Sequence, residues 1–178
     1  NGRDERPVEV DQELKSIGHE ETFARDLVVI EDIRPHLVRM ADAVAARLRK
    51  GSVLGRTVTI KVRFADFTTI TRSITLSEPI DGARVIATEA ETMLARLDPT
   101  PGVRLFGVSL SQLVDGSIRQ LSLDEVAGPA STDADAVIDD IRDRFGSSAI
   151  GPAALARPGE GLRRFEVGQQ QWGPDERP

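Results

Sequence analysis

Residues 56–76 read RTVTIKVRFADFTTITRSITL, and the fold turns on how this stretch alternates. From Thr57 to Phe64, a two-residue period sets Val58, Ile60, Val62 and Phe64 on one face of a strand and Thr57, Thr59, Lys61 and Arg63 on the other. The first face is built to pack, and the second carries groups that donate to phosphate oxygens. A short connection at Ala65, Asp66 and Phe67 leads into a second strand from Thr68 to Leu76, which makes an antiparallel hairpin dominated by β-branched residues. Thr69, Thr71, Ser73 and Thr75 continue the polar face. Arg72 shares parity with Ile70 and Ile74, so strict alternation points it toward the packed side. Exposing it takes a bulge or a lateral reach from the sheet edge.

On the N-terminal side, Lys15 to Phe23 reads as a first strand, with Gly18 marking either a close approach of backbone to a neighbour or ligand, or an edge-strand kink. A helix follows over Arg34 to Lys50. Pro35 suits its first turn, Leu37, Met40, Ala41, Val44 and Leu48 form its stripe, Arg47, Arg49 and Lys50 suit its C-terminal dipole, and Gly51 ends it. Beyond the hairpin, a second helix is expected from about Gly82 to Leu97. Asp81 is its N-cap, Ile86, Ala90, Met93, Leu94 and Leu97 its stripe, and Asp98-Pro99 its stop. Val103 to Leu110 is a fourth strand. The order is βαββαβ, an α+β fold: one antiparallel or mixed four-stranded sheet with both helices on one face and the other face open. A third helix is expected over Ser131 to Gly146, with Ala134, Val137, Ile138, Ile141 and Phe145 as a narrow stripe, followed by a loosely ordered Gly- and Pro-rich tail.

Composition narrows the function. The 178 residues, 39% hydrophobic, suffice for one domain with appendages. With no cysteine there is no disulfide framework or thiolate metal site, and His19 and His36 lack the spacing of a metal pair, which fits a cytoplasmic protein. No apolar run approaches the roughly 20 residues that span a bilayer, so no membrane partner is expected. Because the chain opens on Asn1, it is expected to be an excerpt of a longer protein. The net charge of −6 is unevenly placed. Residues 1–14 sum to −3 (two basic, five acidic), 15–112 to +2 (14 and 12), and 113–178 to −5 (7 and 12), so the middle alone permits contact with DNA. Asp139-Asp140 has the paired carboxylates of a magnesium site, but it falls on the polar side of an amphipathic helix and is read as solvated, leaving no metal ligands and no catalytic cluster.

Taken in order, KSIGHEETF, a helix, FADFTTITRS, a helix and RLFGVSLSQL resemble the little finger domain of Y-family DNA polymerases, in the bacterial DNA polymerase IV branch, over roughly Lys15 to Leu113. The resemblance implies a domain that lies C-terminal to a catalytic core and sets its sheet against template-primer duplex DNA in the major groove. Residues 1–14 would be the tether to that core. Lys15, Ser16, Ile17 and Gly18 would offer backbone N–H groups to phosphate, and Thr22 would extend that line. Lys61, Arg63, Thr69, Thr71, Arg72 and Ser73 would hold the duplex backbones without selecting sequence. Magnesium and the acidic residues that use it would belong to the palm, which lies outside this chain, so the fragment itself is expected to carry no cofactor and to catalyse nothing.

Gln120-Leu121-Ser122-Leu123, in the 114–130 linker, looks like the start of the peptide by which bacterial polymerases dock on the sliding clamp, the DNA polymerase III beta subunit. The glutamine amide would anchor it and the leucines would fill an apolar pocket. The usual peptide ends in a bulky apolar residue, whereas Asp124 and Glu125 follow here, and a charge facing an apolar subsite is penalised by desolvation. A different class of protein, an adaptor whose sheet and acidic tail bind another protein, is the alternative reading.

Overall fold

The alternation of residues 57–64 is realised in the computed structural model, which describes residues 14–116, 131–146, 149–157 and 161–162. The elements are β1 (Ser16–Leu27), α1 (Ile30–Lys50), β2 (Val53–Phe64), β3 (Thr69–Ile80), α2 (Ala83–Leu94), β4 (Val103–Asp115) and α3 (Ser131–Phe145). A 3-10 turn at Ala153–Leu155 and a two-stranded ladder, β5 (Ala156–Arg157) with β6 (Gly161–Leu162), follow.

The main sheet is antiparallel throughout, in the order β1-β4-β2-β3. Each crossover therefore spans an interposed strand: α1 carries the chain from β1 past β4 to β2, and α2 carries it from β3 past β2 to β4. Both helices pack on one face and on each other. Their buried residues, including Ile33, Leu37, Met40, Val44 and Leu48 of α1 and Ile86, Ala90, Met93 and Leu94 of α2, meet Val58, Ile60, Val62, Phe106, Val108 and Leu110 of the central strands. This is the α+β arrangement expected from the sequence.

Several boundaries differ from expectation. All four strands are longer than their periodic cores suggest, because pairing carries them past the alternating residues. The α1 helix starts a turn before Arg34, with Glu31 and Asp32 favouring its N-terminal dipole, so Pro35 lies inside the helix and not in its first turn. In α2 the N-cap is Gly82 with no side-chain cap, not Asp81, and the helix stops at Leu94, so Leu97 packs on the core from the following turn. Pro79, which lacks a donor, falls on the edge strand β3, where its missing N–H breaks no central ladder.

The third helix has the expected span but not the expected attachment. Val137 is 56% exposed and Phe145 74% exposed, so the predicted stripe is not buried as a unit. Instead, Arg49 of α1 donates through Nε and Nη2 to the Asp139 carboxylate at 2.6 and 2.9 Å, and Arg142 donates to Asp42 at 2.8 Å. Burial works against the charge of Arg49, but Asp139, Asp135 and Asp81 outweigh it and hold the guanidinium above its ordinary value. Asp135 moves up despite the pull of Arg49, through burial and the neighbouring Asp81, Asp139 and Asp42, because Asp139 takes the closer contact with the shared guanidinium. Each fully buried leucine or isoleucine of α1 is worth about 1.5–3 kcal/mol. A partly exposed ion pair contributes about 0–1 kcal/mol. The α3 helix is therefore the lightly held element.

Candidate nucleic-acid interface

On the face away from the helices, the strand register assembles four rows, each running β1, β4, β2, β3. They are Thr22–Leu105–Arg63–Thr69, Glu20–Gly107–Lys61–Thr71, Gly18–Ser109–Thr59–Ser73 and Ser16–Ser111–Thr57–Thr75. Leu105 is the only large apolar member of this grid, and it is buried between its neighbours. Hydroxyls pair across β2 and β3: Thr57 with Thr75 at 2.9 Å, Thr59 with Ser73 at 2.8 Å, and Arg63 Nε donates to Thr69 at 3.0 Å. These contacts stand the polar groups up from the sheet before any ligand arrives.

Two glycines cut a depression of about 330 Å³ into the middle of the grid, lined by Gly18, Glu20, Lys61, Gly107 and Ser109 among others. A Cβ at Gly107 would lie 2.8 Å from the Glu20 Cβ, and one at Gly18 would lie 2.8 Å from the Ser109 Cβ. The close approach read into Gly18 is thus to the neighbouring strand. Across the gap at Gly107, Lys61 Nζ donates to Glu20 Oε2 at 2.8 Å, so the lysine expected to meet phosphate already holds a carboxylate.

The opposite face explains the residues that break the apolar pattern. Its rows include His19–Val108–Ile60–Arg72 and Glu21–Phe106–Val62–Ile70, apolar in the centre, with His19, Glu21 and Arg72 as polar members on the edge strands. Arg72 therefore faces the helix side, is exposed because β3 is an edge strand, and needs no bulge, since the β2–β3 register is regular from Thr57 to Arg63. It does not join Thr69, Thr71 and Ser73 on the open face, as the sequence grouping had it. Ile17 likewise packs toward the core, leaving only its backbone for a ligand. On β1, the buried Glu21 meets Arg39 and His36 of α1, and Arg47 Nη1 donates to the Gly18 carbonyl at 2.7 Å, fixing this edge against α1. Burial, reinforced by Arg39 and Arg47, brings His19 down from 6.5 to about 4 against a pull upward from Glu21, so it is neutral near pH 7.

Lys61, Arg63, Thr69, Thr71, Ser73, Thr22, Gly18 and Ser16 are thus gathered on one surface, with Lys15 just before β1. Sequence reading missed Glu20, Gly107, Ser109 and Ser111. The signal was present, since Gly107, Ser109 and Ser111 alternate with Phe106, Val108 and Leu110 at the same two-residue period as β2. Gln120, Leu121, Ser122 and Leu123 lie outside the described residues. Asp139 is engaged by Arg49, and among the described residues no three His, Asp or Glu side chains converge as metal ligands.

The fold and this surface define an α+β domain with one helix-covered and one open, hydroxyl-bearing sheet face. Residues 14–123 match the impB/mucB/samB family C-terminal domain, and the chain belongs to that family. It is similar to the DNA polymerase IV of Desulfatibacillum aliphaticivorans, with 43% identity over 158 residues, covering 86% of this chain and 40% of that protein. It is also similar to the DNA polymerase IV 2 of Mesorhizobium japonicum, at 37% over 169 residues, 86% of this chain and 41% of the relative. Among solved structures, a Y-family DNA polymerase chimera, Dbh-Dpo4(243-245)-Dbh, shares the fold at a TM-score of 0.52 and 21% identity, over 61% of this chain and 31% of that one. The resemblance to a little finger of the DNA polymerase IV branch therefore holds, and the chain spans about 40% of the length of these curated relatives.

Proposed function

We propose that this chain is the DNA-gripping, non-catalytic C-terminal region of a translesion DNA polymerase active in damage tolerance and repair. In that protein, magnesium-dependent nucleotidyl transfer belongs to a palm domain in the same polypeptide. The observation that carries this reading is the four-row open face, where hydroxyls and two cations converge with almost no apolar surface. Such groups hold phosphate and sugar rather than base edges, which gives affinity without sequence selection, as a polymerase moving along any template requires. Glu20 moderates the grip: phosphate has to compete with it for Lys61, so the domain holds duplex without locking onto it.

The test is binding of the chain to labelled duplex DNA across a salt series. Log affinity falls linearly with log salt, by roughly 0.9 per phosphate neutralised, and Arg63→Ala reduces that slope by about 1. Salt-insensitive binding, or an unchanged slope in the variant, removes the grip. We further assign Gln120–Leu123 to sliding-clamp docking in spite of Asp124. Clamp binding by the native chain that is lost on Gln120→Ala with Leu123→Ala supports the assignment, and absence of binding by the native chain ends it.

A further inference from the structure

One end of the open face carries a feature that phosphate gripping does not use. The β2–β3 hairpin turns through Ala65, Asp66 and Phe67, and Phe67 is 65% exposed with a left-handed backbone, φ 67°. Such a backbone is uncommon for a bulky side chain and persists only where its surroundings enforce it. Here they do. Phe67 N–H donates to the Phe64 carbonyl at 2.9 Å, the Asp66 carboxylate accepts from the Thr68 N–H at 2.8 Å and the Thr68 hydroxyl at 2.9 Å, and Ala65 N–H donates to the Gly102 carbonyl at 2.8 Å. The Arg104 guanidinium lies over the ring, 5.2 Å from its centroid. The result is an exposed aromatic on a rigid tip, next to the row that ends in Arg63 and Thr69.

We propose that Phe67, steadied by Arg104, is a stacking platform for an unpaired DNA base adjoining the duplex held on the open face; this rests on the duplex-gripping reading above. A base is favoured over a phosphate because the exposed group is an aromatic ring, and the Asp66 carboxylate precedes it in the turn. Hydrogen bonds from the Thr68 N–H and hydroxyl hold that carboxyl below its usual range, and this anion offsets the Arg104 cation, so the tip offers phosphate no net positive charge while the ring still offers a base its π-face. Aromatic platforms accept any base, since each has a π-face, which suits a domain that does not select sequence.

The experiment compares binding of the chain to a blunt duplex, to the same duplex with a short single-stranded overhang, and to one whose overhang is abasic. The expected result is an overhang increment of about tenfold in affinity, taken from the usual strength of base–aromatic stacking. It is absent with the abasic overhang, kept in Phe67→Tyr, and lost in Phe67→Ala and Phe67→Gly, with blunt-duplex affinity unchanged. Glycine suits the left-handed backbone, so that variant keeps the fold while removing the ring. Duplex binding with no increment, or an increment that survives Phe67→Gly or the abasic overhang, overturns the platform alone. Failure of the native chain to bind any duplex overturns the gripping reading and the platform with it.

Discussion

Strand β2 presents two surfaces made by the same backbone. Val58, Ile60 and Val62 are fully buried beneath α1 and α2, while Thr57, Thr59, Lys61 and Arg63 stand on the open side in contact with side chains of neighbouring strands. The first surface holds the molecule together through area removed from water, and the second is organised by directed polar contacts worth little to stability. The difference teaches that the side chains that supply stability and those proposed to bind lie a single residue apart. Substitutions on one face should move one property and leave the other nearly alone.

The largest expected effect is on the covered face. Ile60→Ala, at a fully buried site in the centre of the sheet, should lower unfolding free energy by about 2–5 kcal/mol in urea denaturation, while Thr59→Ala next to it, which gives up the bond to Ser73, should lower it by about 1 kcal/mol. Gly107→Ala challenges the separation from the open side. Its Cβ would press on the Cβ of Glu20, so a loss of about 1–3 kcal/mol is expected, together with a disturbed Lys61–Glu20 pair. A methyl group tolerated there without loss would show that β1 and β4 can part at no cost.

A shallower effect follows from His19 at the edge of the covered face. Its folded-state value, about 4, lies below its ordinary 6.5. The unfolded chain therefore binds the proton more readily between those values. Stability should fall as pH is lowered through that window, and His19→Gln should flatten this slope in pH-dependent thermal melts. The smallest effect concerns the grip. Glu20→Gln frees Lys61 from its carboxylate and should strengthen duplex binding by up to about fivefold at low salt, with no change in unfolding free energy beyond about 1 kcal/mol. Unchanged affinity would mean that Lys61 does not meet the DNA.

Where a residue's neighbours in sequence decide its surroundings, the sequence was readable. The sides of Val58, Ile60 and Val62 followed from their period, as did the hairpin at Asp66 and the helical stripes of α1 and α2. What escaped depends on pairs distant in the chain. For Arg72 the sequence left a bulge and a reach from the sheet edge as alternatives, and only the strand order, with β3 at the edge, decides between them. The start of α1 and the cap residue of α2 differ from expectation because neither helix has a side-chain cap to mark it. Glu20 joins Lys61 only because β4, with a glycine at the crossing, lies between their strands. The stripe of α3 had helical period, but Asp139 and Arg142 find their partners 90 and 100 residues away in sequence, a contact no local pattern encodes.

The place of β4 has a consequence for how the chain reaches this structure. It is the last strand of the main sheet in sequence, yet it lies between β1 and β2, and among the described residues β1 pairs with no other strand. A polypeptide emerging from the ribosome can close the β2–β3 hairpin early, but β1 waits unpaired until residues 103–111 are available. The sheet then forms by insertion into its middle rather than by growth at an edge. Non-local closure of this kind is slow, and the waiting β1 is where premature association would begin. A chain truncated before Val103 lacks the strand that joins β1 to the β2–β3 hairpin, so the four-row open face is complete only once the last strand enters.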